Sequence, residues 1–571
     1  MKKLVRATAT AAVSAVALLS LSACSTDAAE TAADTGSDTA ATSTAASGDA
    51  QELARGSSNY VTTLEDTHAD ADDGEYDAAD ATTIALKDGG SSVDGEGAEV
   101  DGDVVTITDP GTYLVSGTLS DGQLVVDSEA DGKVRIVLDD ADITSASTSP
   151  LWIVEADEAV LILADGSSNT LADSKASGED DEEDDAPNAT IYSKADLTIA
   201  GSGSLDVTGA SADGITSKDG LVILDGEITV DAADDAITGK DYLDVEGGTI
   251  TVTAADDGLK SDNEDEADLG SLAVNGGTIT VEAGDDGLKA EGALTINDGS
   301  VTVTQSEEGI EAADIVIAGG TIDVTSNDDG INVAGPDVLT DATATSTDTS
   351  TDSDTDTGDA QPAADGERPE PPSDGQMPER PEGDMGERPE GGPGGEMGGD
   401  MGGGPGGMGG ESDTGGVLTI SGGDITVTAD GDGLDSNGSL AITGGTLVVN
   451  GPESSGNGAI DVNGSYVIDG GTVYAGGSAG MLESPDAGSG QAWLVATLSG
   501  TVTAGSTIEV QDADGDTVGT FTATKATAAL VVSAADLADG ETYTLVVDGA
   551  EVGSATAGES TGGGMGGGPM G

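Results

Sequence analysis

A single cysteine, a single histidine and 2% aromatic residues in a chain of 571 exclude much at once. No disulfide can form within the chain, and thiolate or imidazole sites for zinc, copper or iron lack their ligands. Basic residues are scarce too, since 17 Lys and Arg stand against 110 Asp and Glu, a formal net charge of -93. Such a surface repels nucleic acid and anionic lipid and favours cations, or partners bridged by cations. General surface acidity would scatter these acids along the chain. They are instead periodic.

Long apolar runs are missing except at the start, where Met1-Lys2-Lys3 and Arg6 lead through Val13, Val16, Leu18 and Leu19 to Leu21-Ser22-Ala23-Cys24. This stretch is too short to span a membrane, and small residues precede the cysteine as in a lipoprotein signal. The expectation is a signal peptide over 1–24 and lipidation of Cys24. The mature chain would then be exported and anchored on the outer face of the cytoplasmic membrane or at the cell surface. Residues 25–81 are Ala, Thr, Ser, Asp and Glu with too few large apolar side chains to offset ordering entropy, which predicts a disordered tether.

Alternating strands such as Val104–Thr108 and Val134–Leu138 fill 82–173, predicted as an N-terminal β segment, and a solvated acidic loop follows at 179–185. An internal repeat then takes over. Acidic turns end at Ile215, Ile237, Leu259, Leu288, Ile310 and Ile331, in steps of 22, 22, 29, 22 and 21 residues. Gly226, Gly248, Gly277, Gly299 and Gly320 keep pace, each before a strand. Both series slip together at a seven-residue acidic insertion around 263–266. A low-complexity Gly/Pro/Met/Asp stretch occupies 334–414, and removing its 81 residues reduces the Gly330 to Gly433 spacing from 103 to 22. It therefore reads as a loop thrown out of one coil, and its irregular methionines read as flexible filler rather than a soft-metal site.

A period near 22 with short strands and glycine corners suits an all-β parallel β-helix over 187–485. A leucine-rich repeat would need an Asn column that is absent, and the nine-residue Gly-Gly-x-Gly calcium repeat is absent too. Residues 491–557 lose the period and suggest a small β cap, with a disordered tail over 558–571. Stacked coils lie about 4.8 Å apart. That places Ile215, Ile237, Leu259, Leu288, Ile310, Ile331, Leu434 and Ile460 in one inward column, each burial contributing roughly 1.5–3 kcal/mol.

The same geometry stacks Asp213, Asp235, Asp257, Asp286, Glu308, Asp329 and Asp432, with Asp234, Asp256, Asp285, Glu307 and Asp328 beside them. At about 5 Å, two like charges cost roughly 1 kcal/mol in water and several times that near a low-dielectric surface. The repeated column needs counter-charge, and Ca2+ with six to eight oxygen ligands suits it. The bland reading is a set of solvated turn residues, because Asp-Gly is a common turn pair. Lys218, Lys240, Lys260 and Lys289 follow the turns; they either neutralise the column or, with calcium, grip a glycan carboxylate.

Asp109–Tyr113 and Ser116–Gln123, with Asp257–Glu264, Glu308–Glu311 and Asp328–Asn332, resemble a bacterial family of carbohydrate-binding domain-containing proteins. The resemblance implies a calcium-containing parallel β-helix that binds cellulose-type and acidic glycans. Its segment Asp257–Glu264 also brings Asp262 into the candidate metal set. A polysaccharide partner is expected, an acidic glycan such as a pectin-type one, or cellulose; the acidic glycan suits the surface better because Tyr192, Tyr242, Tyr466 and Tyr474 are scattered. Trp152 and Trp493 are expected to pack outside the helical part. No catalytic residue is assigned and a monomer is expected. A calcium-dependent polysaccharide lyase using one of the four lysines as base, and a surface adhesin or scaffold without glycan binding, are the competing readings.

Overall fold

The computed structural model describes residues 60–174, 187–264, 266, 268–335 and 413–560, all within the unit Ser47–Gly571. The expected signal peptide, Cys24, the Gly/Pro/Met stretch and the tail's last residues lie outside the described residues. Three short strands make a coil, for example Ile237–Gly239, Tyr242–Val245 and Thr249–Ala254. Each pairs in parallel with its counterpart in the next coil, Leu259–Ser261, Ser271–Val274 and Thr278–Glu282. Among the described residues 37 strands join one continuous sheet, and this mostly parallel pairing wraps it into a parallel β-helix.

Alternation sets which side chains face in. Along Thr249–Ala254 the threonines are exposed while Ile250, Val252 and Ala254 are buried. The predicted inward column is in register from Ile215 through Ile237, Leu259, Leu288, Ile310, Ile331 and Leu434 to Ile460. Its members are 0–2% exposed, so stacked aliphatic side chains replace the aromatics that the composition lacks. The corner before the third strand needs glycine twice over. Gly277 has φ 82°, a region open to few residues with a Cβ, and a Cβ there would lie 2.9 Å from the backbone of Gly247.

The acidic insertion leaves the ladder intact, because Tyr242 pairs with Ser271 and Val245 with Val274 across it. Across the long interruption, Ile310–Ile317 pairs with Ile331–Val333 on one side of the loop and with Val417–Ile420 on the other.

Two sequence expectations are corrected. The coils begin before residue 187, since within the N-terminal β segment 82–173 Lys133–Ser145, Leu151–Glu155 and Glu158–Leu163 already stack in parallel with later strands. These coils lack the Asp-Asp-Gly turn, so their periodicity does not show in the residues. The expected tether is also not uniformly unstructured. Residues 60–76 lie against the coils, held by polar contacts rather than by an apolar core. At the other end, Thr527–Ser533 adds antiparallel to Thr472–Gly477 and covers the last open sheet edge. Beyond it a four-stranded antiparallel sheet encloses Phe521, the single phenylalanine of the chain.

Candidate cation-binding ladder

The acidic turns are built by backbone bonds between coils. The amides of Gly258, Gly287, Gly309 and Gly330 donate to the carbonyls of Asp286, Glu308, Asp329 and Asp432 in the following coil. Side chains extend the pattern. Asp235 Oδ1 accepts the amide of Asp257 at 3.0 Å, and Asp257 Oδ1 accepts that of Asp286 at 3.0 Å. Past the long loop, Asp329 Oδ1 accepts the amide of Asp432 at 2.5 Å, and Asp432 Oδ1 that of Gly458. One oxygen of each of these residues therefore ties coil to coil and leaves the other for a cation. This role requires burial, and Asp257 and Asp286 are only 1% and 2% exposed.

Burial raises the carboxyls of Asp213, Asp235, Asp329 and Asp432, and neighbouring carboxylates add to it. Asp213 is pushed up to about 7, with Asp235 the leading neighbour. Burial lifts Asp235 to about 6 against the pull of Lys260. Asp329 and Asp432 rise to about 6 through burial and through Asp328 and Asp461, despite the amide bonds they accept. Near neutral pH such a column holds either protons or cations.

Four carboxylate groups bring one oxygen from each member within 4.8 Å of the others: Asp234–Asp235–Asp256, Asp256–Asp257–Asp285, Asp286–Glu308–Glu311 and Asp329–Asp432–Asp435. The structure therefore gathers Asp234, Asp235, Asp256, Asp257, Asp285, Asp286, Glu308, Asp329 and Asp432 from the sequence set into these groups. Asp213 sits at the near end of the ladder, its Oδ2 accepting from Asn188 and Thr216. Glu307 and Asp328 are exposed beside the ladder. Asp262 lies in the insertion, with one buried oxygen that has no hydrogen-bond partner among the described residues.

Glu311 and Asp435 were missed. Both occupy a third column, one residue after the inward aliphatic, which runs in register through Thr238, Lys260, Lys289, Glu311, Asn332, Asp435 and Asp461. Lys260 Nζ lies 2.7 Å from Asp257 and 3.0 Å from Asp235. Lys289 Nζ lies 2.7 Å from Asp286 and 3.6 Å from Glu311. Burial alone would lower both ammonium groups, and these carboxylates raise them instead. The first half of the ladder thus contains its own cations, whereas from Glu311 onward the same column adds further acids. Lys218 stands 6.0 Å over the ring of Tyr192, and Lys240 lies in the corner after Ile237–Gly239.

An all-oxygen donor set of carboxylates, with turn carbonyls nearby, fits a hard cation rather than a soft one. The aromatics form no exposed row among the described residues. Trp152 is within the coils, paired beside Tyr192, against the expectation that it lies outside, while Tyr192 and Tyr466 are each 3% exposed.

Fold and ladder together define a class, a parallel β-helix whose turns carry stacked carboxylates. Residues 101–355 match the family model described as carbohydrate-binding domain-containing protein, the family that the sequence resembles. A protein of the same description from Acetivibrio thermocellus is 40% identical over 137 residues, 24% of this chain and 48% of that protein. The chain thus spans about half the length of that relative. A solved structure described as a polysaccharide lyase-like protein from C. thermocellum, gadolinium derivative, shares 33% identity over 43% of this chain and 94% of that one, with a TM-score of 0.38.

Proposed function

We propose that this chain is an exported, Cys24-anchored carbohydrate-binding protein that uses Ca2+ on its acidic ladder to hold acidic polysaccharides. The observation that carries the reading is the Asp329–Asp432–Asp435 group, where the third column contributes a carboxylate in place of the lysine found at Lys260 and Lys289. The family match of residues 101–355 supports a glycan over a protein partner. Calcium there would neutralise the column and keep coordination positions open for a uronate carboxylate and hydroxyls. Asp329 and Asp432 would hold the ion through the oxygens not engaged by the next coil, with Asp435 completing the set.

A lyase reading needs a lysine free to take the proton beside the uronate carboxylate. Lys260 and Lys289 are instead clamped between ladder carboxylates, which favours binding over catalysis. Retention on polygalacturonate and on cellulose, each with calcium and with chelator, tests the proposal. Calcium-dependent retention on polygalacturonate that falls at least about tenfold in Asp329→Asn/Asp432→Asn is expected. Retention on neutral glycan alone, indifferent to calcium, rejects the bridging mechanism. Release of unsaturated uronate that disappears in Lys260→Met would replace binding by lyase activity.

A further inference from the structure

Residues 60–76 cross the coils instead of joining them. Asn297 Nδ2 donates to the carbonyl of Thr62 at 3.1 Å, and Glu246 accepts the amide of Leu64 at 3.1 Å. The His68 ring meets Tyr242 Oη at 2.6 Å and Thr198 Oγ1 at 3.0 Å. Asp73 then reaches Lys133 at 2.7 Å and Arg135 at 3.2 Å. Six parallel pairings separate the strand of Arg135 from that of Thr295, so this strap follows the helix axis for roughly 29 Å at about 4.8 Å per coil.

Beneath it lies a trough. Its floor is the outward column Val160, Thr198, Val222, Asp244, Ala273 and Thr295, small or short side chains that are buried although they face away from the core. The strap fills this trough without satisfying it. Asp244 Oδ2, Ser271 Oγ and Arg135 Nε are buried with no hydrogen-bond partner among the described residues, and Asp244 and Ser271 are 0% and 1% exposed. Buried polar atoms left unpaired are costly, so a cover that leaves three of them is a poor match for the groove.

The contact at its end is of the opposite kind. In a chain with 17 basic residues against 110 acids, Lys133 and Arg135 project side by side from one strand, and the strap places a carboxylate that is 1% exposed between them, while Lys133 also meets Asp70 of the strap at 3.1 Å and Glu158 of the next coil at 2.5 Å. A guanidinium and an ammonium so placed select a carboxylate. The unpaired Asp244 and Ser271 oxygens along the trough select hydroxyl groups. A chain bearing hydroxyls along its length and carboxylates at intervals satisfies both.

We propose that this trough is a second polysaccharide-binding groove, for a linear uronate-bearing glycan, and that residues 60–76 occupy it in cis, with Asp73 standing where a glycan carboxylate binds Lys133 and Arg135. The strap is then a competitive cover, and glycan access requires its displacement. This rests on the acidic-polysaccharide part of the functional reading and is independent of the calcium ladder.

A reversible lock tests it. A Cβ on Gly74 would lie 3.3 Å from the Ala200 Cβ, close to disulfide spacing, so Gly74→Cys/Ala200→Cys in the full chain closes the strap when oxidised and frees it when reduced. His68→Ala/Asp73→Asn loosens it, with hydrogen exchange at residues 60–76 reporting release. Polygalacturonate binding is measured in chelator, to silence the ladder, and in parallel with calcium. In chelator, the reduced pair is expected to bind at least about tenfold tighter than the oxidised pair. The loosened variant should exceed the parent by a similar factor, and adding Arg135→Gln should remove that gain. Equal binding by oxidised and reduced protein, or no binding in chelator by a variant whose strap exchanges freely, overturns the groove. Calcium-dependent binding by the parent in the parallel series would still uphold the ladder, so the two readings fail separately.

Discussion

Asp257 does two jobs with two oxygens. Oδ1 holds the amide of Asp286, and Oδ2 holds Lys260 at 2.7 Å, at a side chain 1% exposed. Asp257→Ala would leave a buried amide and a half-buried ammonium without these partners, and we expect a loss of about 2–4 kcal/mol. Asp257→Asn keeps an acceptor for the amide and loses less. The exposed Asp424→Asn should stay within about 0.5 kcal/mol, all read by urea unfolding. The acids of this column were legible because they recur at a fixed offset. Their bond to the next coil was not, since it depends on where a backbone amide lies. Glu311 and Asp435 could have been found at the offset of Lys260 and Lys289, but that column changes residue type along the axis from lysine to acid. A search for one repeated residue passes over such a position.

Strand register was legible because two periods agree, alternation within a strand and about 22 residues between coils, and a slip in either would expose the inward aliphatics. The corner glycines belong to the same logic. Gly277→Ala must place a Cβ at φ 82°, 2.9 Å from the Gly247 backbone. We expect about 2–4 kcal/mol of destabilisation from backbone strain and overpacking together. Gly500, which has open space around it and no left-handed φ, should accept alanine within about 0.5 kcal/mol. Thermal unfolding of the pair checks this. Where the acidic turn is absent, the coils within 82–173 lack the periodic signature and read only as an N-terminal β segment, although Ile136 and Leu161 occupy the same core. The strap was illegible for a different reason. Its low apolar content correctly excludes a core of its own, but composition cannot show that His68 and Asp73 find partners more than 60 residues further along the chain in Thr198 and Arg135.

At the scale of the whole chain the formal charge is -93, and the helix stacks part of that charge along one edge. Without metal the ladder can relieve itself by binding protons. Asp213 is raised to about 7 and Asp235, Asp329 and Asp432 to about 6, from an ordinary 3.8, each through burial first. The folded chain therefore binds more protons than the unfolded chain between about pH 4 and pH 7, so stability falls as pH rises through that window and levels off above it. On the proposed reading calcium would replace those protons with a charge that persists at high pH, and it would bind the folded state alone, because only there do the coils bring the carboxylates together. In metal-free protein we expect the midpoint of thermal unfolding to be lower at pH 8 than at pH 5. Millimolar calcium should raise it at pH 8 by several degrees more than at pH 5, where protons already occupy the column. Calorimetry at the two pH values, with chelator and with calcium, separates this from general screening, for which sodium chloride of equal ionic strength is the control. A midpoint at pH 8 that calcium leaves unchanged would mean that Lys260, Lys289 and the inter-coil amides suffice to stack these acids, and the ladder would then be structural only.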